Sequence, residues 1–241
     1  MKNKSNSNQT NKSIDKNISF FRENLQAYGK DVQELDTYVA IRAFTSEAIK
    51  GIDRLLDIGN GGVFDYDVDQ VRHIVALDLF LDDIDTSSYP SHIIFKTGSA
   101  LDIPEPDKSF DGAIQVMLLH HIVGNTVTES RNNVNTAIRE AMRILKPGGK
   151  LIIVESCVPK WFYAFEKLIF PLASRIINLI IPHPITLQYP ISLIKDIASD
   201  YSINIKVVRI PKGQVVLQYG FKFPSILTPI NPFIFIVKKP L

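Results

Sequence analysis

One stretch constrains this chain more than any other. Leu55-Leu-Asp-Ile-Gly-Asn-Gly-Gly62 is a short apolar run that carries one carboxylate and then breaks into three glycines. An apolar run without polar alternation suits a strand covered on both faces, as in a parallel sheet. Glycine lets the backbone turn sharply and approach a ligand with no Cβ in the way. His73-Ile-Val-Ala-Leu-Asp78 follows as a second such strand, ending in an acid 21 residues after Asp57. In an open α/β sheet, ligands bind outside the carboxyl ends of the strands, where the strand order reverses. A carboxylate there can accept hydrogen bonds from ribose hydroxyls, so the pattern favours a nucleoside-type ligand.

The rest of the chain extends this pattern. Ser91–Lys96, Gly112–Leu119 and Lys150–Glu155 read as third, fourth and fifth strands, and Asn204–Ile210 and Phe233–Val237 add two more. Thr136–Leu145 reads as a helix with Ile138, Met142 and Leu145 on its apolar face, and Lys146-Pro-Gly-Gly149 as a tight turn. The expected fold is α/β: a doubly wound, mostly parallel seven-stranded sheet. Residues 1–17 are Asn, Ser and Lys with almost nothing apolar; they lack the hydrophobic core of a signal peptide and read as a disordered tail. Residues 18–50 read as N-terminal cap helices, the second closed by Gly51, and 51–241 as the main domain with a helical lid insertion around 157–195.

That insertion is the most apolar part of the chain. Leu168 to Ile194 carries one formal charge, Arg175, yet Pro171, Pro182, Pro184 and Pro190 interrupt it. No unbroken run of about 20 apolar residues survives, so it reads as buried or interfacial and not as membrane-spanning. A helix over Trp161–Ile181 suits a lid over a lipophilic ligand, a homodimer contact or a peripheral membrane contact.

Composition excludes other classes. Lys and Arg number 27 against 25 Asp and Glu, which argues against a nucleic-acid partner. Cys157 stands alone, so neither an internal disulfide nor a cysteine zinc cage can form, and a reduced cytoplasmic setting is the default. The histidines lack metal-ligand spacing, and no metal is expected. Asp65-Tyr-Asp-Val-Asp69 resembles the start of a calcium loop, but Gln70 and Ala76 stand where that loop needs Gly and Glu. It reads as a solvated helix start. Tyr163 and Lys167 have the spacing of a short-chain dehydrogenase pair, but the glycine spacing after the first strand does not fit.

The order of the remaining motifs carries a family resemblance. The glycine turn and Asp78 are followed by Leu101–Asp111 before the fourth strand, His120-His121 after it, and Arg143–Leu151 leading into the fifth. This ensemble resembles the class I S-adenosylmethionine-dependent methyltransferases, especially the type 11 small-molecule group, over about Ile52–Glu155. The resemblance implies a Rossmann-like methyltransferase fold, S-adenosylmethionine as cofactor, and methyl transfer to a small molecule; the apolar composition of residues 161–181 is the argument for a lipophilic acceptor. It places Gly59, Asn60 and Gly61 around the methionine part of the cofactor, with Asp57 opening the motif. Asp78 falls on the ribose, Leu79 beside the adenine, Ser99 and Ala100 at the adenine edge, and Gln115 to Leu118 under the sulfonium.

Three features depart from the family pattern. Val63 stands where a third glycine is usual, and Ser99 where an acid is frequent. Phe64–Gln70 is short and polar where a long apolar helix is usual. These departures keep a non-catalytic, nucleoside-binding partner subunit as a rival reading, with a nucleotide-dependent oxidoreductase behind it. His120 and His121 are the catalytic candidates, since a neutral imidazole at that strand end could take a proton from the acceptor; the alternative is that they only shape the pocket. A sulfonium methyl is already activated, so such a protein mainly positions and desolvates.

Overall fold

The computed structural model describes residues 17, 19, 20, 23, 35–82, 84–180, 185–218 and 221–241, with backbone alone at 171–180, 217, 218 and 221. The expected tail and first cap helix fall outside these residues, except at positions 17, 19, 20 and 23. Those four are helical. In chain order the elements are α1 (Asp36–Ile49), β1 (Arg54–Ile58), β2 (His73–Asp78), β3 (Ile93–Thr97), β4 (Phe110–Val116), α2 (Val127–Ile144), β5 (Leu145–Cys157), α3 (Lys160–Ile180), α4 (Ile191–Ser199), β6 (Ile205–Arg209), β7 (Val215–Gln218), β8 (Phe221–Pro224) and β9 (Asn231–Lys238).

Seven strands form one sheet in the order β3-β2-β1-β4-β5-β9-β6, and β7 and β8 pair separately. β1 to β5 run parallel. β9 lies antiparallel between β5 and β6. Parallel strands need a long crossover, usually a helix; among the described residues the stretch from β6 to β9 holds the β7–β8 hairpin and a short 3-10 turn and no long helix, and the chain returns antiparallel. β1 pairs with β2 on one side and β4 on the other, so the strand order reverses at β1.

The lack of polar alternation now has its cause. Side chains alternate across a strand, and both faces of this sheet are covered. Leu56 and Ile58 of β1 join Leu151 and Ile153 of β5 in a core that includes Val134, Ala137 and Ile138 of α2 and Leu193 and Ile194 of α4. Leu55 and Ile152 face the other way and pack with Ile41 and Ile49 of α1.

Two elements differ from their sequence reading. α2 begins at Val127 and not at Thr136. Thr126 caps it, accepting the Glu129 amide at 3.1 Å, while Glu129 accepts the Asn125 amide at 2.8 Å. This Thr-x-x-Glu cap is the start signal; the polar run Glu129–Asn133 hides the helical period behind it. The Lys146–Gly149 turn lies inside β5 as an excursion. Leu145 pairs with Phe110 and Lys150 with Gly112, leaving the four turn residues opposite Asp111. Lys146 binds Asp111 at 2.7 Å, and Gly148 takes a φ of 78°, which suits glycine.

α3 is continuous over Lys160–Ile180. Tyr163 and Phe170 face the core, while Trp161, Phe165 and Leu168 are exposed at 68%, 51% and 80%. Pro182 and Pro184 lie outside the described residues. No helix among the described residues is long and apolar enough to cross a membrane.

Candidate active site

β1 delivers the chain into the glycine turn at the point where the strand order reverses. The Gly59 amide donates to the Leu77 carbonyl of β2 at 2.7 Å. Gly59 has a φ of 75°, and a Cβ there would lie 2.6 Å from Leu118 Cδ1. Only glycine meets both demands without strain. Asn60 braces the loop from inside: its Nδ2 donates to Asp57 at 2.6 Å and to the Val63 carbonyl at 2.8 Å, and its Oδ1 accepts the Gly62 amide at 2.9 Å.

Asp57 stands behind this loop. It is buried, is absent from the cavity wall, and accepts hydrogen bonds from Asn60 and from the Tyr66 hydroxyl at 2.9 Å. Burial pushes its carboxyl up to about 7 against the lowering effect of Tyr66 and Asn60, and the charges of Asp65 and Asp78 add to the rise. Asp57 thus shapes the turn rather than lining the pocket.

At the end of β2, Asp78 Oδ2 accepts the Gly61 amide and Oδ1 the Phe80 amide, both at 2.9 Å. An ionised carboxylate offers about four acceptor positions, so capacity remains for hydroxyls of a ligand. Asp78 lines a cavity of about 300 Å3 at the carboxyl ends of the strands. Gly59, Asn60, Gly61, Leu79, Ser99 and Ala100 line it too.

Gln115 is placed elsewhere. It is fully buried, and its Nε2 donates to the Ala137 carbonyl of α2 at 3.4 Å. The strand phase turns Gln115 toward α2, and Val116, Met117 and Leu118 reach the cavity instead. Met117 takes a φ of 51°, a left-handed conformation that costs on the order of 1 kcal/mol outside glycine. Its amide donates to the Val154 carbonyl of β5 at 2.8 Å.

His120 and His121, in a 3-10 turn after β4, line the same cavity. His120 Nδ1 lies 2.5 Å from Glu155 Oε1, and Glu155 is fully buried at the end of β5. Glu155 also accepts the His120 amide at 3.3 Å and the Ser156 amide at 2.7 Å. An ionised carboxylate only accepts, so the Nδ1 proton points at Glu155 and Nε2 of the neutral ring is left as an acceptor. The His121 ring stacks tilted on that of His120, with centroids 4.1 Å apart.

Sequence reasoning missed Glu155, although its signal was present: like Asp78, it is an acid closing a buried strand. It also missed Asn17. Asn17 donates to the carbonyls of His121 and Ile185 at 2.8 Å and accepts the Ile185 amide at 2.7 Å, tying the segment before α1 to the histidine turn.

The far wall is partly apolar, with Leu35, Val216, Ile230 and Pro232. No residue from 157 to 170 lines the cavity, whereas Gln188, within the expected insertion around 157–195, does. Tyr189 is fully buried in the core. Among the described residues no cluster of His, Cys, Asp and Glu is placed to hold a metal.

Comparison with known proteins gives consistent results. Residues 56–153 match the family model of a methyltransferase domain. The chain is 33% identical over 97 residues to a demethylmenaquinone methyltransferase of Tropheryma whipplei, covering 39% of this chain and 37% of that relative's length. Among solved structures, the 1,6-didemethyltoxoflavin-N1-methyltransferase of Burkholderia thailandensis, with bound 1,6-didemethyltoxoflavin and S-adenosylhomocysteine, superposes at a TM-score of 0.65. That match has 11% identity and covers 100% of this chain and 94% of the other. A SAM-dependent methyltransferase from Methanosarcina mazei superposes at 0.55 with 17% identity, covering 82% and 97%. The fold is the Rossmann-like methyltransferase fold.

Proposed function

We propose that this chain, whose residues 56–153 form a methyltransferase domain, moves a methyl group from S-adenosylmethionine to a small, lipophilic acceptor. One observation carries the reading: the same cavity is lined by the glycine turn, by Asp78 and by His120, which Glu155 braces. The glycine turn and the spare acceptor capacity of Asp78 fit the sugar and aminoacyl parts of such a cofactor, and exposed Leu79 offers an apolar face for the base. When bound, the cofactor supplies a sulfonium methyl open to in-line attack. The residues of this chain do the rest. Val116, Met117 and Leu118 keep water from the cavity floor. His120 Nε2 takes the proton that the acceptor's nucleophile loses, and Glu155 holds the ring by its Nδ1 proton and stabilises the resulting imidazolium.

An acceptor of quinone-like class is supported by the name of the Tropheryma relative and by the apolar far wall. The experiment has two parts. Calorimetry should detect S-adenosylhomocysteine binding that Asp78→Ala weakens by about 1.5–3 kcal/mol, the worth of hydrogen bonds to a charged group. Labelled methyl transfer to naphthoquinols of increasing alkyl length should rise by at most about 0.8 kcal/mol per methylene. Wild-type protein that releases no binding heat with S-adenosylhomocysteine sinks the cofactor reading; rates indifferent to chain length sink the lipophilic acceptor.

A further inference from the structure

Asp65 lies in the polar stretch Phe64–Gln70 that replaces the long apolar helix usual after the glycine turn. Its sequence context reads as solvated, yet the residue is only 6% exposed. It lines the cavity, as do Asn60, Gly61 and Val63. Two contacts stitch this stretch to α1: the Thr45 hydroxyl donates to the Asp65 carbonyl, and the Asp67 amide donates to Ser46 Oγ at 2.9 Å. The Asp65 backbone is therefore held in place, with its side chain at the cavity wall.

The carboxyl is not matched by the protein around it. Its Oδ1 is enclosed and has no hydrogen-bond partner. Arg42 attracts it through space, but no ion pair to Asp65 forms among the described residues. Burial raises its carboxyl to about 6, so the group is still mostly ionised above neutral pH. A buried, unpaired carboxylate costs several kcal/mol. A ligand cation would remove that cost.

We propose that Asp65 is a cation seat in the cavity and that it takes the α-ammonium at the aminoacyl end of the cofactor. The inference rests on the cofactor reading above. Position favours the cofactor over the acceptor as the source of the cation, because Asp65 follows the glycine turn by three residues and, like Asp78, lies close enough to Asp57 behind that turn to raise its carboxyl. Asp78 sits across that turn, held by the Gly61 amide. A nucleoside without the aminoacyl arm would satisfy Asp78 and leave Asp65 unpaired, so Asp65 selects ligands that carry both.

The test uses calorimetry on the full chain, wild type and Asp65→Asn, with S-adenosylhomocysteine and with 5′-methylthioadenosine, which keeps the adenosine and sulfur but lacks the aminoacyl arm. Asp65→Asn should weaken S-adenosylhomocysteine by roughly 10- to 100-fold and leave 5′-methylthioadenosine within about two-fold. Equal affinity of both proteins for S-adenosylhomocysteine, or an equal loss for both ligands, overturns the inference alone. Wild-type protein that binds neither ligand overturns the cofactor reading and this inference with it. The ligand-free proteins give a second readout: at pH 8 the variant should melt at or above the wild type, because a buried charge has been removed. A clearly lower melting temperature would show that the carboxylate already has a stabilising partner, and would overturn the proposal.

Discussion

Asp57 accepts hydrogen bonds from two side chains and is still held near 7 by burial. A carboxyl whose folded pKa lies above its unfolded value binds its proton more tightly in the folded state. It therefore stabilises the fold below about 4, and that contribution is lost as pH rises to about 7. Asp65, raised to about 6, acts in the same direction over a narrower window. Asp57→Asn keeps the acceptor for Tyr66 and removes the titration. Urea unfolding at pH 4.5 and pH 8 should show the variant losing less stability than wild type over that interval, by on the order of 2–4 kcal/mol; parallel profiles would show that Asp57 stays ionised in the fold. At His120 the expectation is kinetic. His120→Ala should lower turnover by roughly 10²–10⁴ while S-adenosylhomocysteine affinity stays near wild type. Turnover within a few-fold of wild type would reduce the histidine to a wall of the pocket.

The glycine turn and the end of β4 act as a pair of elements. Gly59 approaches Leu118 so closely that an added methyl has no room, and its positive φ disfavours any side chain. Gly59→Ala should cost about 1–3 kcal/mol of stability and weaken S-adenosylhomocysteine at least ten-fold, since the Gly61 amide and Asp78 move with the loop. Adding Leu118→Ala should recover the steric part of that loss and leave the backbone part. Measured by calorimetry and thermal melting, an unchanged affinity in Gly59→Ala would mean that the loop's shape does not govern binding. Arg143 performs a similar service for the loop before β4. It binds Glu140 and Asp107 and donates to the carbonyls of Ile103 and Glu105, so α2 holds the segment that carries Ser99 and Ala100 toward the cavity.

For the whole molecule, the decisive element is β9, because it joins two regions of the sheet. It pairs with β5 over eight residues and with β6 over five, so β6 reaches the sheet only through it. Phe235 is fully buried at its centre. Phe235→Ala should cost about 3–5 kcal/mol, and because the strand is paired on both sides, denaturant unfolding should remain a single transition with a lower midpoint. A separate early transition for the C-terminal strands would show instead that they form a unit of their own.

Much was legible in short stretches. Buried strands announce themselves as apolar runs, and their ends announce themselves by glycines and acids, because both signals are local to a few bonded neighbours. Thus β1, β2, the glycine turn, the parallel sheet and its reversal were read from sequence, and Asp78, Leu79, Ser99 and Ala100, singled out at the strand ends, line the cavity. What tertiary structure decided involves partners far apart in the chain. Glu155 meets His120 across a sequence separation of 35, and Asn17 meets Ile185 across 168. Gln115 faces α2 because strand pairing set the phase of β4, which its own residues do not reveal. Asp65 looks solvated among Phe64–Gln70 and is buried only because α1 closes over it. Local sequence determines what a segment tends to be; which groups share a low-dielectric space depends on how distant segments pack, and that space is what turns a carboxylate or an imidazole into part of a site.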